Sequence, residues 1–263
     1  MSDIKYMSLS LDRILKNLNK CKNIVENQEE SISQFEEIIL DAFNRRWDSK
    51  RNTTIFLAGA GRSGFVAKSF AIRLMHLGFY VYVINESIAP PVTDGDIIII
   101  ISKSGKSNSI TQIVDDSQFC NVKLLAVCGD SESNLAKKAD ANIVIESVEG
   151  DSVNMDDDEI KEFIDSYMSV FEHDDEVKSK IEKLPKQSFD FDDEKIAGFI
   201  DDLNEEINGI KNIYLPLELV LMGTTFEISA LVLLDALVTE LMAKLNLREK
   251  DLIEYHDVLS SSI

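Results

Sequence analysis

Thr54-Ile55-Phe56-Leu57-Ala58-Gly59-Ala60-Gly61-Arg62-Ser63-Gly64 is the stretch on which the fold turns. Its first five residues carry no charge and are apolar or β-branched, which predicts a strand buried on both faces. Three glycines in the next six residues predict a tight turn. A helix follows at 65–77, where apolar residues recur at helical spacing. The glycines literally satisfy G-x-G-x-x-G between strand and helix, and backbone N–H groups at a helix start suit an anion. Two readings are open here. The glycines simply permit the turn, or they admit a phosphate with the Ser63 hydroxyl as an added donor. A dinucleotide reading would add Glu86, near the end of the second strand, as a ribose partner.

Outward from this stretch the same rhythm repeats. Apolar runs at 79–84, 97–101, 122–127 and 142–145 predict four more strands, and 109–119 and 131–138 predict the helices between them. Continuous apolar strands alternating with helices predict an α/β fold: three layers, α-β-α, around a five-stranded parallel sheet. In open α/β sheets the ligand lies outside the carboxyl ends of the strands. That rule points to the loops after the first and third strands. The third strand ends in Ser102-Lys103-Ser104-Gly105-Lys106-Ser107-Asn108-Ser109, four hydroxyls and a glycine ahead of a helix. Gly105-Lys106-Ser107 resembles the end of a phosphate-binding loop of the Walker type, but the required earlier glycine is replaced by Ile100, so a nucleotide triphosphatase is rejected. Hydroxyls and backbone donors at a helix N-terminus suit a phosphate monoester. The plainer alternative is helix capping by Ser107 or Ser109.

The flanks read differently. Residues 8–48 predict two helices broken near 27–31. Residues 149–211 hold 21 acids against 7 lysines, a local charge of −14, and predict an acidic, partly helical insertion. The whole chain of 263 residues carries −20, so the other 200 residues carry only −6. Residues 221–245 predict a long, largely buried helix, and Leu252, Ile253 and His256 a short last one. The expected organisation is residues 1–148 with the N-terminal helices, the insertion at 149–211, and closing helices at 212–263.

Composition narrows the classes. An apolar content of 44% fits a globular chain. An acidic balance argues against a nucleic-acid partner, which needs a basic face. No window approaches a membrane span, and the first residues lack an apolar signal stretch, so a cytoplasmic protein without a membrane partner is expected. Three cysteines, Cys21, Cys120 and Cys128, form no CxxC pair, which argues against disulfides and zinc. Cys120 and Cys128 stand in apolar surroundings and are expected to be buried and inert. No metal site is expected.

Gly59 to Gly64 with Arg62-Ser63, followed by Ser102-x-Ser104-Gly105-x-Ser107, resembles the sugar isomerase (SIS) domain family. The run Ala71-Ile72-Arg73-Leu74-Met75-His76-Leu77-Gly78 and the later Met222-Gly223-Thr224-Thr225-Phe226-Glu227 are similar to its 6-phospho-3-hexuloisomerase branch. The resemblance implies the SIS fold, an isomerase acting on a phosphorylated sugar, no cofactor and a homotetramer. It places phosphate contacts on Ser63, Ser102, Ser104 and Ser107, the catalytic base on Glu227, and a C-terminal histidine at His256. Gly61, Lys103 and Gly105 belong to the same loops. Similar enzymes run almost directly from the fifth strand into Pro-x-Gly-Thr, where this chain inserts its acidic segment.

The residues support that chemistry independently. Moving a carbonyl between neighbouring carbons needs one proton removed beside it and returned one carbon away, which a single carboxylate can do. Glu227 opens an apolar helix and suits that task, and a first-turn acid answering the helix dipole is its alternative. Arg62 is expected to meet the phosphate or a sugar hydroxyl, and Glu86 the sugar hydroxyls. His76 is expected to be structural, and His173, among acids, to lie in a solvated turn. Three other readings stay open: a phosphosugar-binding regulator without turnover, a different isomerase such as one acting on a pentose 5-phosphate, and a nicotinamide-dependent oxidoreductase built on Gly59 to Gly64.

Overall fold

The computed structural model describes residues 5–45, 52–145 and 224–248. The chain divides into two compact units, Met1–Leu15 with Val148–Met222, and Lys16–Ser147 with Gly223–Ile263. The sheet and its helices belong to the second. The expected insertion at 149–211 and the helix around His256 lie outside the described residues.

Two helices come first, α1 (Lys5–Asn27) and α2 (Glu29–Arg45), with the break at Gln28. The α/β body follows as β1 (Thr54–Ala58), α3 (Arg62–His76), β2 (Tyr80–Val83), β3 (Ile97–Ser102), α4 (Asn108–Ser117), β4 (Lys123–Cys128), α5 (Asn134–Lys138) and β5 (Ala141–Val144). Helix α6 (Thr224–Lys244) completes it. All five strands are parallel, in the order β2-β1-β3-β4-β5.

That order explains where a ligand can sit. From β1 the chain turns one way to β2, then returns past β1 to β3 on its other side. The connections leaving β1 and β3 therefore run in opposite directions, and in such sheets the carboxyl ends at this switch point are where ligands bind. Right-handed crossovers put helices from the two directions on opposite faces, and the core splits accordingly. Ile55, Leu57, Ile97, Ile99 and Ile101 pack with Phe35 and Ile39 of α2, Phe70 and Leu74 of α3, and Phe226, Leu234 and Leu241 of α6. The alternate residues Phe56, Ala58, Ile98, Ile100 and Leu124 pack with Ile110 and Val114 of α4 and Leu135 of α5. Each strand thus feeds two cores, and every residue of β1 and β3 is buried. Burial of such a side chain is worth about 1.5–3 kcal/mol.

The amino ends of the strands are pinned by carboxylates. Asp96, 1% exposed, accepts from the Thr54 amide at 3.0 Å and the Thr93 amide at 2.8 Å, joining the start of β1 to the turn before β3. Asp140 accepts from the Leu124 amide at 2.8 Å ahead of β5. The β5 edge is closed by a side chain: the Gln28 amide donates to the Val144 carbonyl at 2.7 Å and accepts from the Val144 amide at 2.9 Å, as a neighbouring strand would.

Two expectations need correction. Cys120 is exposed, because it lies in the connection beyond Ser117, the last buried residue of α4, and before β4; Cys21 and Cys128 are buried. Helix α6 is not largely buried. Phe226, Ala230, Leu233, Leu234, Leu237 and Leu241 face the core, while Leu231 and Val232 are exposed. It packs on α3 and α2 from one side, so a sequence that is apolar all round has only half its surface covered.

Candidate active site

The turn after β1 is held together by its outer glycines. A Cβ on Gly59 would stand 2.7 Å from the Ser63 carbonyl oxygen and 2.8 Å from the Gly64 nitrogen, and one on Gly64 would stand 2.8 Å from the Gly59 carbonyl oxygen. These backbones are in contact, so Gly59 and Gly64 are required by the turn itself. Gly61 differs. Its φ is +57°, and no atom lies within 4 Å of a Cβ placed there, so it faces open space. Of the three glycines, only the middle one leaves room for a ligand. Arg62 then begins α3, and Ser63 beside it is buried.

The loop after β3 is shaped by its own serines. Ser102 Oγ accepts from the Gly105 amide at 3.2 Å, and Ser104 Oγ from the Lys106 amide at 3.3 Å. An accepting hydroxyl keeps its proton to donate. Gly105 takes φ +63°, and a Cβ there would stand 3.0 Å from Leu135 Cβ, so α5 sets how far the loop can rise. The Lys103 carbonyl accepts from the Gly129 amide at 2.8 Å, tying the loop to the end of β4. Ser107 is the N-cap of α4, yet its side chain makes no capping bond; its Oγ is buried without a hydrogen-bond partner. Capping therefore does not account for this serine. A buried hydroxyl left unbonded costs about 1–3 kcal/mol, and it sits where an anion would meet the helix N-terminus.

Glu227 comes from the far end of the chain. It lies in the first turn of α6 with its side chain 14% exposed, and its Oε2 is 3.5 Å from Arg62 Nη2. That oxygen has no hydrogen bond. The pair is thus an electrostatic contact between α6 and the first residue of α3, and it brings a carboxylate to the loop that follows β1. Sequence reading named both residues but not their contact, for which 165 positions of separation leave no local signal. Glu86 is exposed and pairs with Lys68 Nζ at 2.6 Å, so α3 already engages the carboxylate that the dinucleotide reading needed. Lys106, in the loop after β3, pairs loosely with Asp130, in the loop after β4, at 3.9 Å. Among the described residues no cluster of three or more His, Cys, Asp or Glu could hold a metal ion, and no helix is long and apolar enough to cross a membrane. His256 lies outside the described residues.

The arrangement offers hydroxyl and backbone donors at two neighbouring strand ends, with a mostly buried carboxylate beside one of them. Such a set can bind an anion and move a proton.

Comparison with known proteins bears on what that set serves. Residues 49–157 match the SIS domain. An uncharacterized protein of Archaeoglobus fulgidus is 34% identical over 212 residues, 81% of this chain and 82% of that one. The 3-hexulose-6-phosphate isomerase of Methanocaldococcus jannaschii is 28% identical over 233 residues, 83% of this chain and 90% of its own. A crystal structure of a hypothetical protein from Methanococcus jannaschii, for which a 3-hexulose-6-phosphate isomerase function is inferred, superposes with a TM-score of 0.58 at 25% identity. The superposition covers 94% of this chain and 96% of the other.

Proposed function

The chain belongs to the SIS domain family, and on that premise we propose that it is an isomerase interconverting D-arabino-3-hexulose 6-phosphate and D-fructose 6-phosphate. The observation that carries the reading is the approach of Glu227 to Arg62, which brings a carboxylate to the phosphate-type loops. The name carried by the Methanocaldococcus relative supports the choice of substrate.

In this reading the phosphate rests on Ser63, Ser102, Ser104 and Ser107, with Gly61, Lys103 and Gly105 shaping the cradle. The unbonded Ser107 hydroxyl gains its partner when the phosphate arrives. Glu227 takes the proton from C2 of the 3-ketose. The C2–H electrons form the C2=C3 double bond, and the C3 carbonyl electrons move to its oxygen, which takes up a proton. The enediol then loses its O2 proton, C2 becomes the carbonyl, and Glu227 returns its proton to C3. No electrons leave the substrate, so the chemistry calls for no cofactor. His256 is assigned to ring opening or proton shuttling. Glu86 is assigned to the sugar hydroxyls through whichever oxygen its pair with Lys68 leaves over. The assembly is a homotetramer, a reading supported by Phe65, Ile72 and Met75, which stand exposed along α3.

The test is formation of fructose 6-phosphate from 3-hexulose 6-phosphate in a coupled assay. The wild type is expected to turn over, and Glu227→Gln to lose at least roughly a hundredfold in kcat. An equally active Glu227→Gln protein would remove the proton-transfer assignment. A wild type that binds the sugar phosphate without converting it would make the chain a phosphosugar-binding regulator.

A further inference from the structure

Glu227 is in an unusual electrostatic position. Its side chain is 14% exposed, and its Oε2 is buried with no hydrogen bond. A carboxylate so placed needs a countercharge close by, because burying an unpaired charge is expensive. Arg62 Nη2 approaches that same oxygen at 3.5 Å. A charge-assisted hydrogen bond would be nearer 2.7–2.9 Å, so the guanidinium attracts the carboxylate without gripping it.

We propose that Arg62 is a positioning residue for Glu227: it holds Oε2 by charge and leaves Oε1 to carry the proton. The inference rests on the assignment of Glu227 as base and goes beyond it in giving Arg62 a role toward the enzyme's own carboxylate rather than toward the phosphate. Three features support it. Arg62 is the first residue of α3, so its backbone is fixed by the Gly59–Gly64 contact. Glu227 is in the first turn of α6, and α3 and α6 pack on each other and share one core, to which they contribute Phe70, Leu74, Phe226 and Leu234. Both ends of the pair are therefore anchored, and only the side chains can adjust. Finally, a base that moves a proton between adjacent carbons must keep one oxygen over both. A carboxylate free to rotate about its terminal bond does not, and small misplacements of a reacting group cost up to about a hundredfold in rate.

The geometry also says which replacement should work. The approach of Nη2 to Oε2 is at 3.5 Å, longer than a gripping hydrogen bond, so a lysine can serve there as a point charge.

The test is steady-state kinetics of the full chain with 3-hexulose 6-phosphate. Arg62→Gln is expected to lower kcat by roughly 10- to 100-fold with KM changed by less than about threefold. Arg62→Lys is expected to recover at least about a third of wild-type kcat. In the Glu227→Gln background the same Arg62→Gln substitution is expected to alter the residual rate by less than about twofold, since the group it positions is already gone. Thermal melting of each variant identifies a folding loss, and Arg62→Lys then provides the kinetic comparison. A raised KM with kcat undiminished would make Arg62 a phosphate contact and overturn the proposal alone. Additive losses in the double variant would do the same. A wild type inert toward sugar phosphates would overturn this proposal and the isomerase reading together.

Discussion

Ser107 stands where a helix most readily takes a capping bond, yet its hydroxyl is buried and unbonded. Removing it should relieve a cost and remove a use together. Ser107→Ala is expected to keep or raise the melting temperature, since a stranded buried polar atom costs about 1–3 kcal/mol, while KM for the sugar phosphate rises about tenfold. A lowered melting temperature with KM unchanged would return the serine to a structural role. The cysteines make a second prediction at this scale. Burial pushes the Cys128 thiol up to about 11, and Cys21 is also buried, while Cys120 is exposed. A thiol reagent at neutral pH should therefore modify one cysteine rapidly, at Cys120, and the other two only on unfolding. Three fast thiols would contradict the packing around β4. The strand-to-helix turn was legible in the sequence because only glycine tolerates backbone packed on its Cβ position. The exposure of Cys120 was not, because apolar neighbours in sequence, such as Phe119, are themselves exposed in the connection.

At the scale of elements, an ion pair joins α6 to α2. Lys244 Nζ lies 2.6 Å from Glu36 Oε2, and the glutamate is 3% exposed. The hydrogen bond to Glu36 raises the Lys244 pKa above its ordinary 10.5. A raised folded-state value stabilises fully below the unfolded value and is lost as pH climbs through the folded one. The melting temperature is thus expected to fall as pH rises beyond about 10.5, with this fall smaller in Lys244→Met. At pH 7 that variant should lose about 1–3 kcal/mol in urea unfolding, less than a fully buried pair because the lysine is half in water. Stability unchanged at both pH values would mean the pair contributes nothing. The Gln28 bridge to β5 gives a parallel case. Gln28→Ala removes both bonds to Val144 and should cost about 1–2 kcal/mol in the same measurement. Among the described residues the order and type of the elements were legible, with borders within about three residues, since periodicity changes from helical to strand-like between them. The half-covered surface of α6 was not, because an apolar helix looks alike whether one side or both are packed.

For the whole molecule, charge and topology decide different things. A net charge of −20 repels a phosphate at long range, and salt screens that repulsion over about 10 Å at 0.1 M. For the proposed reaction, kcat/KM is expected to rise about two- to fivefold as ionic strength goes from low to physiological. A fall would show that the substrate responds to local cations such as Arg62 and Lys106 instead. By itself, the sequence determined the parallel α/β body, the glycine loop after β1, the serine loop after β3 and the carboxylate at the start of α6. Those features rest on short-range rules: burial forces apolar runs, tight turns force glycine, and helix starts favour particular residues. Tertiary structure alone decided the strand order that makes β1 and β3 the switch point of the sheet. It alone left Ser107 without a capping bond and set Glu227 against Arg62. These follow from packing two sheet faces and distant helices into shared cores, where the free energy belongs to contacts between residues that no local pattern links.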